Sequence, residues 1–312
     1  MGDSAETAIE LNFKPGRVED WPQVAPIVER TWGEEGDYIS EALWRQWAAD
    51  TVGYLLVATR GDQIVGLCKV SQHGPAEWWF EGLRVHPQYR RQGIARALTE
   101  QALKWFRTHG SGIARMAIYS DNEASQKLAR AFGFRHTLSY TRVETGARPA
   151  DYRNFRVMAS GNLPLIAAYL RRSPMHRVNR FAEHYWKLYY LTHDRLAAYL
   201  ADEAVQVLGW RQFDTLHGLA VLFTAPPPAY ALAEDDLLYV GYLDAPDDTT
   251  LRAMLTALRG LALRRGLSKV MWMMPIGMGL ERLIGDDVQR VWDGTLMLFE
   301  LPLRVAQDIP LS

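Results

Sequence analysis

The stretch richest in groups able to do chemistry is Glu81-Gly-Leu-Arg-Val-His-Pro-Gln-Tyr-Arg-Arg-Gln-Gly-Ile-Ala95. It reads as a strand, then a basic loop containing glycine, then the start of a helix. Where a loop enters a helix, the first backbone N–H groups have no intrahelical partner and the helix dipole adds partial positive charge, so the junction suits an anion. Gly93 removes the side chain at the point where backbone and ligand would meet. Arg90, Arg91 and Arg96 add guanidinium groups, whose forked donors match phosphate oxygens. The ligand this arrangement favours is a pyrophosphate. No His or Cys cluster has metal-ligand spacing and no Ser-His-Asp set can be placed, so no metal is expected and serine chemistry has little support.

The elements needed to hold that junction can be read around it. Asp20 to Trp32 has proline after a capping residue and Val24, Ile27 and Val28 at helical spacing, and Ser40 to Ala48 is a second helix. Tyr54 to Thr59 and Ile64 to Val70 form a hairpin about a Gly-Asp turn, and Trp78 to Val85 is a third strand. Gly93 to His109 carries one apolar stripe and stops at Gly110. It is followed by a strand over Met116 to Tyr119, a helix capped by Asn122 and running to about Phe132, and a strand over Phe134 to Val143. A meander passing into a strand–helix–strand crossover implies a mixed sheet with helices on its faces.

The second half repeats the order. Leu163 to Leu170 and a helical stretch within Phe181 to Leu200 precede strands at Val205 to Trp210, Gly218 to Thr224 and Leu237 to Leu243. The helix Thr250 to Arg265, the strand Val270 to Met274, a short helix Leu280 to Ile284, and closing strands Val288 to Trp292 and Leu296 to Leu301 complete it. The expectation is a tandem duplication of one mixed α/β (α+β) fold, with domains at 1–148 and 149–312 and the seam within Gly146 to Asp151. In place of the basic loop, the second copy has Asp244-Ala-Pro-Asp-Asp-Thr-Thr250, whose carboxylates would repel a pyrophosphate. The second copy is therefore expected to be degenerate.

Composition narrows the function classes. A length of 312 residues fits two domains, and 35 basic against 36 acidic side chains leave no global field to attract nucleic acid or an anionic membrane. The lone Cys68 cannot form an intrachain disulfide and sits in an alternating strand as apolar filler. No apolar run approaches the roughly 20 residues that span a bilayer, so a cytoplasmic protein is expected.

Together with Tyr119-Ser-Asp-Asn-Glu-Ala-Ser-Gln-Lys-Leu-Ala-Arg-Ala-Phe-Gly-Phe134, the strand–loop–helix resembles the Gcn5-related N-acetyltransferase (GNAT) family. That family's phosphate-loop signature is matched by Arg90, Gly93 and Ala95, and its second block by Asn122, Ser125 and Phe132-Gly-Phe134. The resemblance implies two tandem domains, each a mixed, mostly antiparallel sheet with helices on both faces. It also implies acetyl-CoA as cosubstrate, lying where the Leu83–Val85 strand splays from the Ala117–Tyr119 strand. Leu83, Arg84 and Val85, the loop Arg90, Arg91, Gln92, Gly93, Ile94, Ala95 and Arg96, and Asn122 and Ser125 would then line the cofactor site.

Phe80-Glu-Gly-Leu-Arg-Val85 looks like the matching strand of some aminoglycoside 6′-acetyltransferases, where a glutamate faces the acceptor amine. Glu81 is thus the candidate general base, and strict alternation would put it on the same face as Leu83 and Val85. Where many family members carry a tyrosine as general acid this chain has Ala129, so Tyr119 and Tyr140 are the substitutes. Trp32, Glu35, Tyr38 and Trp79 are the candidate contacts for a cationic small-molecule amine. The resulting expectation is direct N-acetyl transfer by a monomer or homodimer, with a peptide or protein N-acetyltransferase and a non-catalytic acyl-CoA sensor as alternatives.

Overall fold

A computed structural model describes residues 10–31, 36–213, 215–224, 236–285 and 287–303. Strand β1 (Leu11–Pro15) leads into α1 (Trp21–Glu29) and α2 (Glu41–Ala49), then the meander β2 (Tyr54–Arg60), β3 (Gln63–Gly74) and β4 (Glu77–Val85). Helix α3 (Ile94–His109), β5 (Ile113–Tyr119), α4 (Glu123–Ala131) and β6 (Arg135–Gly146) follow. The second half opens with β7 (Phe155–Val157), α5 (Leu163–Leu170), α6 (Pro174–Val178), the hairpin β8 (Phe181–His184) and β9 (Lys187–Tyr190), and α7 (His193–Ala201). It continues with β10 (Val205–Gln212), β11 (Thr215–Phe223), β12 (Leu237–Asp244), α8 (Asp248–Arg264), β13 (Lys269–Pro275), β14 (Gln289–Arg290) and β15 (Leu296–Pro302).

Local chemistry explains the two helices that matter most for the site. In α3 the residues Ile94, Leu98, Ala102, Leu103 and Phe106 are buried along one stripe, and the helix ends at Gly110. Helix α4 starts where the Asn122 side chain accepts the Ser125 N–H at 3.1 Å.

The two halves share one 13-stranded sheet, ordered β1-β2-β3-β4-β5-β15-β6-β13-β12-β11-β10-β7 with β14 beside β6. Strand β15 was expected to close the second copy. Instead it lies between β5 and β6 of the first half, in register from Leu296 opposite Tyr119 to Pro302 opposite Ile113. Leu298 and Phe299 are both 0% exposed and pack on opposite faces, which is why this strand is an apolar run without alternation. Strand β6 in turn pairs with β13. A cut after residue 148 falls in the link between β6 and β7, yet it would deprive the first copy of β15.

The helical stretch expected within Phe181 to Leu200 is also corrected, since β8 and β9 form a hairpin before α7 begins at His193. Its two-residue turn, Tyr185 and Trp186, has φ of 50° and 68°, the positive values a tight hairpin turn demands and normally obtains from Gly or Asn. Both turn amides are secured: Trp186 N–H donates to Glu183 and Tyr185 N–H to the Tyr239 hydroxyl. Polar ties hold the hairpin against the first half. Tyr190 N–H donates to Glu77 at 2.7 Å, Arg195 donates to the same carboxylate at 2.8 Å, and the Tyr189 ring stacks on His73.

Candidate active site

The parallel ladder between β4 and β5 runs from Glu77 opposite Ile113 to Trp79 opposite Arg115 and then stops. Beyond it the two strands part, while β4 stays paired with β3 through a bulge. Leu67 faces Arg84 and Lys69 faces Glu81, so Gly82 and Leu83 oppose Cys68 alone. Gly82 has φ of 66°, and a Cβ there would lie 2.7 Å from the Trp47 ring, so the bulge requires glycine. The extra residue inverts the alternation. Phe80, Leu83 and Val85 pack with the α3-side core, whereas Trp79 joins the opposite core and Glu81 points toward β9. The expectation that Glu81 shares a face with Leu83 and Val85 is therefore wrong, and the bulge is the reason.

A cavity of about 650 Å³ passes through the sheet at this parting. On one side it is walled by Thr99 and Ala102 of α3 and by Ser125, Leu128 and Ala129 near α4. On the other it is walled by Tyr38, Trp79, Glu81 and the hairpin tip Tyr185, Trp186 and Lys187.

Glu81 stands at the passage between the two sides with a side chain 4% exposed. One carboxylate oxygen, Oε1, accepts from Ser71 Oγ at 2.9 Å and from Lys187 Nζ at 2.9 Å. The other, Oε2, is buried and has no hydrogen-bond partner among the described residues. Lys69, whose register partner is Glu81, is tied instead to Asp50, and burial lowers its pKa. Tyr38 is pushed far above the usual phenol range, first by burial and then by the Glu81 charge. Cys68, buried on the strand below, has its thiol pushed up to about 12 by burial, which keeps it protonated.

At the α3 junction Arg91 has φ of 60° and Gly93 φ of 82°, and a Cβ on Gly93 would meet nothing within 4 Å. The first intrahelical bond joins Ala97 N–H to the Gly93 carbonyl at 3.0 Å, so the amides of Ile94, Ala95 and Arg96 lead the helix without intrahelical partners. Arg90, Arg91 and Gln92 are exposed around this point. Ile94 is buried and anchors the helix, and the Arg96 guanidinium sits over the Phe132 ring at 5.2 Å.

Among the remaining expected residues, Asn122, Ser125, Leu83, Tyr38, Trp79 and Tyr119 all line the cavity. Tyr119 lies edge-on to Trp186 and Trp292. Arg84 also reaches the cavity, but it makes a forked pair with the fully buried Asp37 at 2.6 and 2.9 Å, tying the segment after α1 to β4. Tyr140 does not line the cavity. It is 1% exposed, donates to Asn179 at 2.9 Å, and burial holds its hydroxyl well above the usual range. Trp32 and Glu35 lie outside the described residues. Sequence reasoning missed Trp186 and Lys187. The aromatic run Tyr185-Trp-Lys-Leu-Tyr-Tyr190 was the available signal, and the lack of Gly or Asn at the turn hid it.

The site is thus a parted parallel strand pair, β4 and β5, with a glycine-led helix beside the gap. Residues 20–134 match the model of the "Acetyltransferase (GNAT) family". No match arises among curated proteins. A GCN5-related N-acetyltransferase from Sphaerobacter thermophilus superposes with a TM-score of 0.64 at 13% identity, covering 96% of this chain and 98% of that one. A GCN5-related N-acetyltransferase from Kribbella flavida gives 0.54 at 18% identity, over 93% of this chain and 70% of that one. A tandem GNAT protein from the clavulanic acid biosynthesis pathway gives 0.57 at 13% identity, over 94% and 98%. The family match is thus confined to residues 20–134, while the chain as a whole shares its fold with GCN5-related N-acetyltransferases and with a tandem GNAT protein.

Proposed function

We propose that this protein transfers an acetyl group from acetyl-CoA directly to the primary amine of a small molecule, with Glu81 as the base. The observation carrying this reading is that Glu81 Oε2, at the passage through the sheet, has no partner among the described residues. A buried acceptor left unpaired costs about 1–3 kcal/mol, and an N–H of the incoming amine satisfies it. The acetyl-CoA side fits the residues present: among the described residues the edge of β4 past Trp79 has no strand against it on the β5 side, and the α3 amides with the open Gly93 suit a pyrophosphate. Acetyl-CoA would supply a thioester carbonyl as electrophile.

Glu81 orients the acceptor nitrogen and takes a proton from it, which frees the lone pair for attack on that carbonyl. As the C–N bond forms the nitrogen sheds its second proton to water in the open cavity, and as the C–S bond breaks the departing sulfur takes up one. We assign that proton to Tyr119, which lines the cavity in a chain that has Ala129 in the adjacent helix. Lys187 and Ser71 hold the other Glu81 oxygen and fix the carboxylate plane.

Glu81→Gln should keep acetyl-CoA affinity while lowering kcat about 100-fold or more, the usual worth of a positioned base. Steady-state rates across pH together with calorimetric titration of acetyl-CoA check this. Equal rates and an unchanged pH profile in the variant would count decisively against Glu81.

A further inference from the structure

The geometry points to an acceptor of one kind, a monoamine on an apolar body of aromatic size, selected by the second copy through its β8–β9 hairpin. This inference rests on the amine-transfer reading above and names the substrate class for it.

Past Glu81, the cavity runs under the hairpin and is walled there by Trp186, Trp292, Tyr239, Met271 and Met273, all from the second half of the chain. Trp186 and Trp292 stack at 4.9 Å with 25° between their planes, and Tyr119 stands edge-on to both. Flat, rigid side chains with flexible thioethers beside them make a surface that binds apolar groups by area and by ring contact. Polyhydroxylated bodies find few partners on it.

Charge narrows the class further. Among the described residues, the carboxylates lining the cavity are Glu81 and Asp121. Glu81 already carries the ammonium of Lys187 at 2.9 Å, and Arg142 on the same wall is paired with Glu144. A second cation on the acceptor would therefore approach Lys187 while Glu81 is already paired and Asp121 sits beside the α4 N-terminus, on the other side of the cavity, and like charges repel strongly in a partly dry site. Lys187 thus rejects diamines, while the tryptophan pair rewards an apolar body.

The hairpin is built to hold this position. Its turn keeps two bulky residues at positive φ, a conformation that costs free energy and persists where surrounding contacts over-determine it. Strain is retained here at the point where Trp186 and Lys187 enter the cavity.

The test compares kcat/KM for ethylamine, 2-phenylethylamine and 1,4-diaminobutane with the full-length protein and saturating acetyl-CoA. The expected order puts 2-phenylethylamine at least about tenfold above each of the others, the scale on which a hydrophobic pocket discriminates. Lys187→Gln should raise 1,4-diaminobutane about tenfold relative to 2-phenylethylamine. Trp186→Ala should raise KM for 2-phenylethylamine with acetyl-CoA affinity unchanged, and the comparison within the unaltered protein stands even if that variant does not fold. A preference for the diamine, or equal use of all three, overturns the inference while leaving the amine-transfer reading intact. Turnover of none of them with acetyl-CoA bound overturns both.

Discussion

The same strand–loop–helix occurs twice in this molecule, and the two versions end differently. In both copies the parallel ladder is short, stopping at Trp79 and Arg115 in the first and at Val240 and Trp272 in the second. Past that point β4 is half open, whereas every residue of β12 is buried. The buried end is closed by Asp244, which accepts from the Tyr169, Ser173 and Tyr242 hydroxyls. The helices differ in the same sense. Helix α3 begins at a glycine with no side-chain cap, while α8 begins at Asp247, whose carboxylate accepts the Thr250 N–H at 2.8 Å. The strand edge and helix amides left open in the first copy are thus filled in the second by side chains of the chain itself.

The strongest challenge to this contrast is to give the first copy the second copy's charge. Arg91→Glu combined with Gly93→Glu places carboxylates against the free α3 amides, and acetyl-CoA affinity should fall by roughly 100-fold or more through loss of charge-assisted bonds. Calorimetry on the unaltered chain should find one equivalent bound. Two equivalents would show that the sealed copy still binds.

A smaller effect concerns the hairpin through which the second copy acts. Burial pushes Glu183 up to about 7, against an ordinary 4.5. It carries the Trp186 amide and the Tyr239 hydroxyl at the base of the strained turn. A carboxyl whose folded pKa is raised stabilises fully below its unfolded pKa, and that contribution is lost as pH rises through the folded value. Thermal stability should therefore decline between about pH 4.5 and 7, by on the order of 1–3 kcal/mol. Asp244, also raised by burial, adds in the same direction. Glu183→Gln should flatten its share of the decline in Tm measured across that range. An unaltered slope would mean that Glu183 ionises freely in the folded protein.

How much of this could be read from the sequence follows from which interactions are local. The strand–loop–helix junction was legible because its strand, glycine and amphipathic stripe lie within one contiguous segment, and the Asn122 cap was legible for the same reason. The direction of Glu81 was not, because the bulge at Gly82 depends on β3 pairing and on the Trp47 ring filling the space a Cβ would need. Lys187 was out of reach for a third reason, since it meets Glu81 from 106 residues away on a hairpin whose turn residues are not turn formers. Strand β15 was recognised as a strand, but its place between β5 and β6 is a long-range choice that an apolar run does not specify.

The finest test asks what silences the second copy. If the Asp247 carboxylate alone excludes a pyrophosphate, then Asp247→Gly recreates a glycine-led helix and α8 should gain acetyl-CoA binding. The contacts around it argue otherwise. Asp248 in the first turn pairs with Arg282 and would still face the ligand, and the Asp244 cluster still closes the strand end where the pantetheine arm would need an open edge. Removing one cap should cost only a few tenths of a kcal/mol for Gly and about 1 kcal/mol for Asp247→Ala. The expected result is therefore a slightly lowered Tm with binding unchanged at one equivalent. A second equivalent in Asp247→Gly would show that one carboxylate separates the two copies and that the packing around Asp244 opens when a ligand is offered.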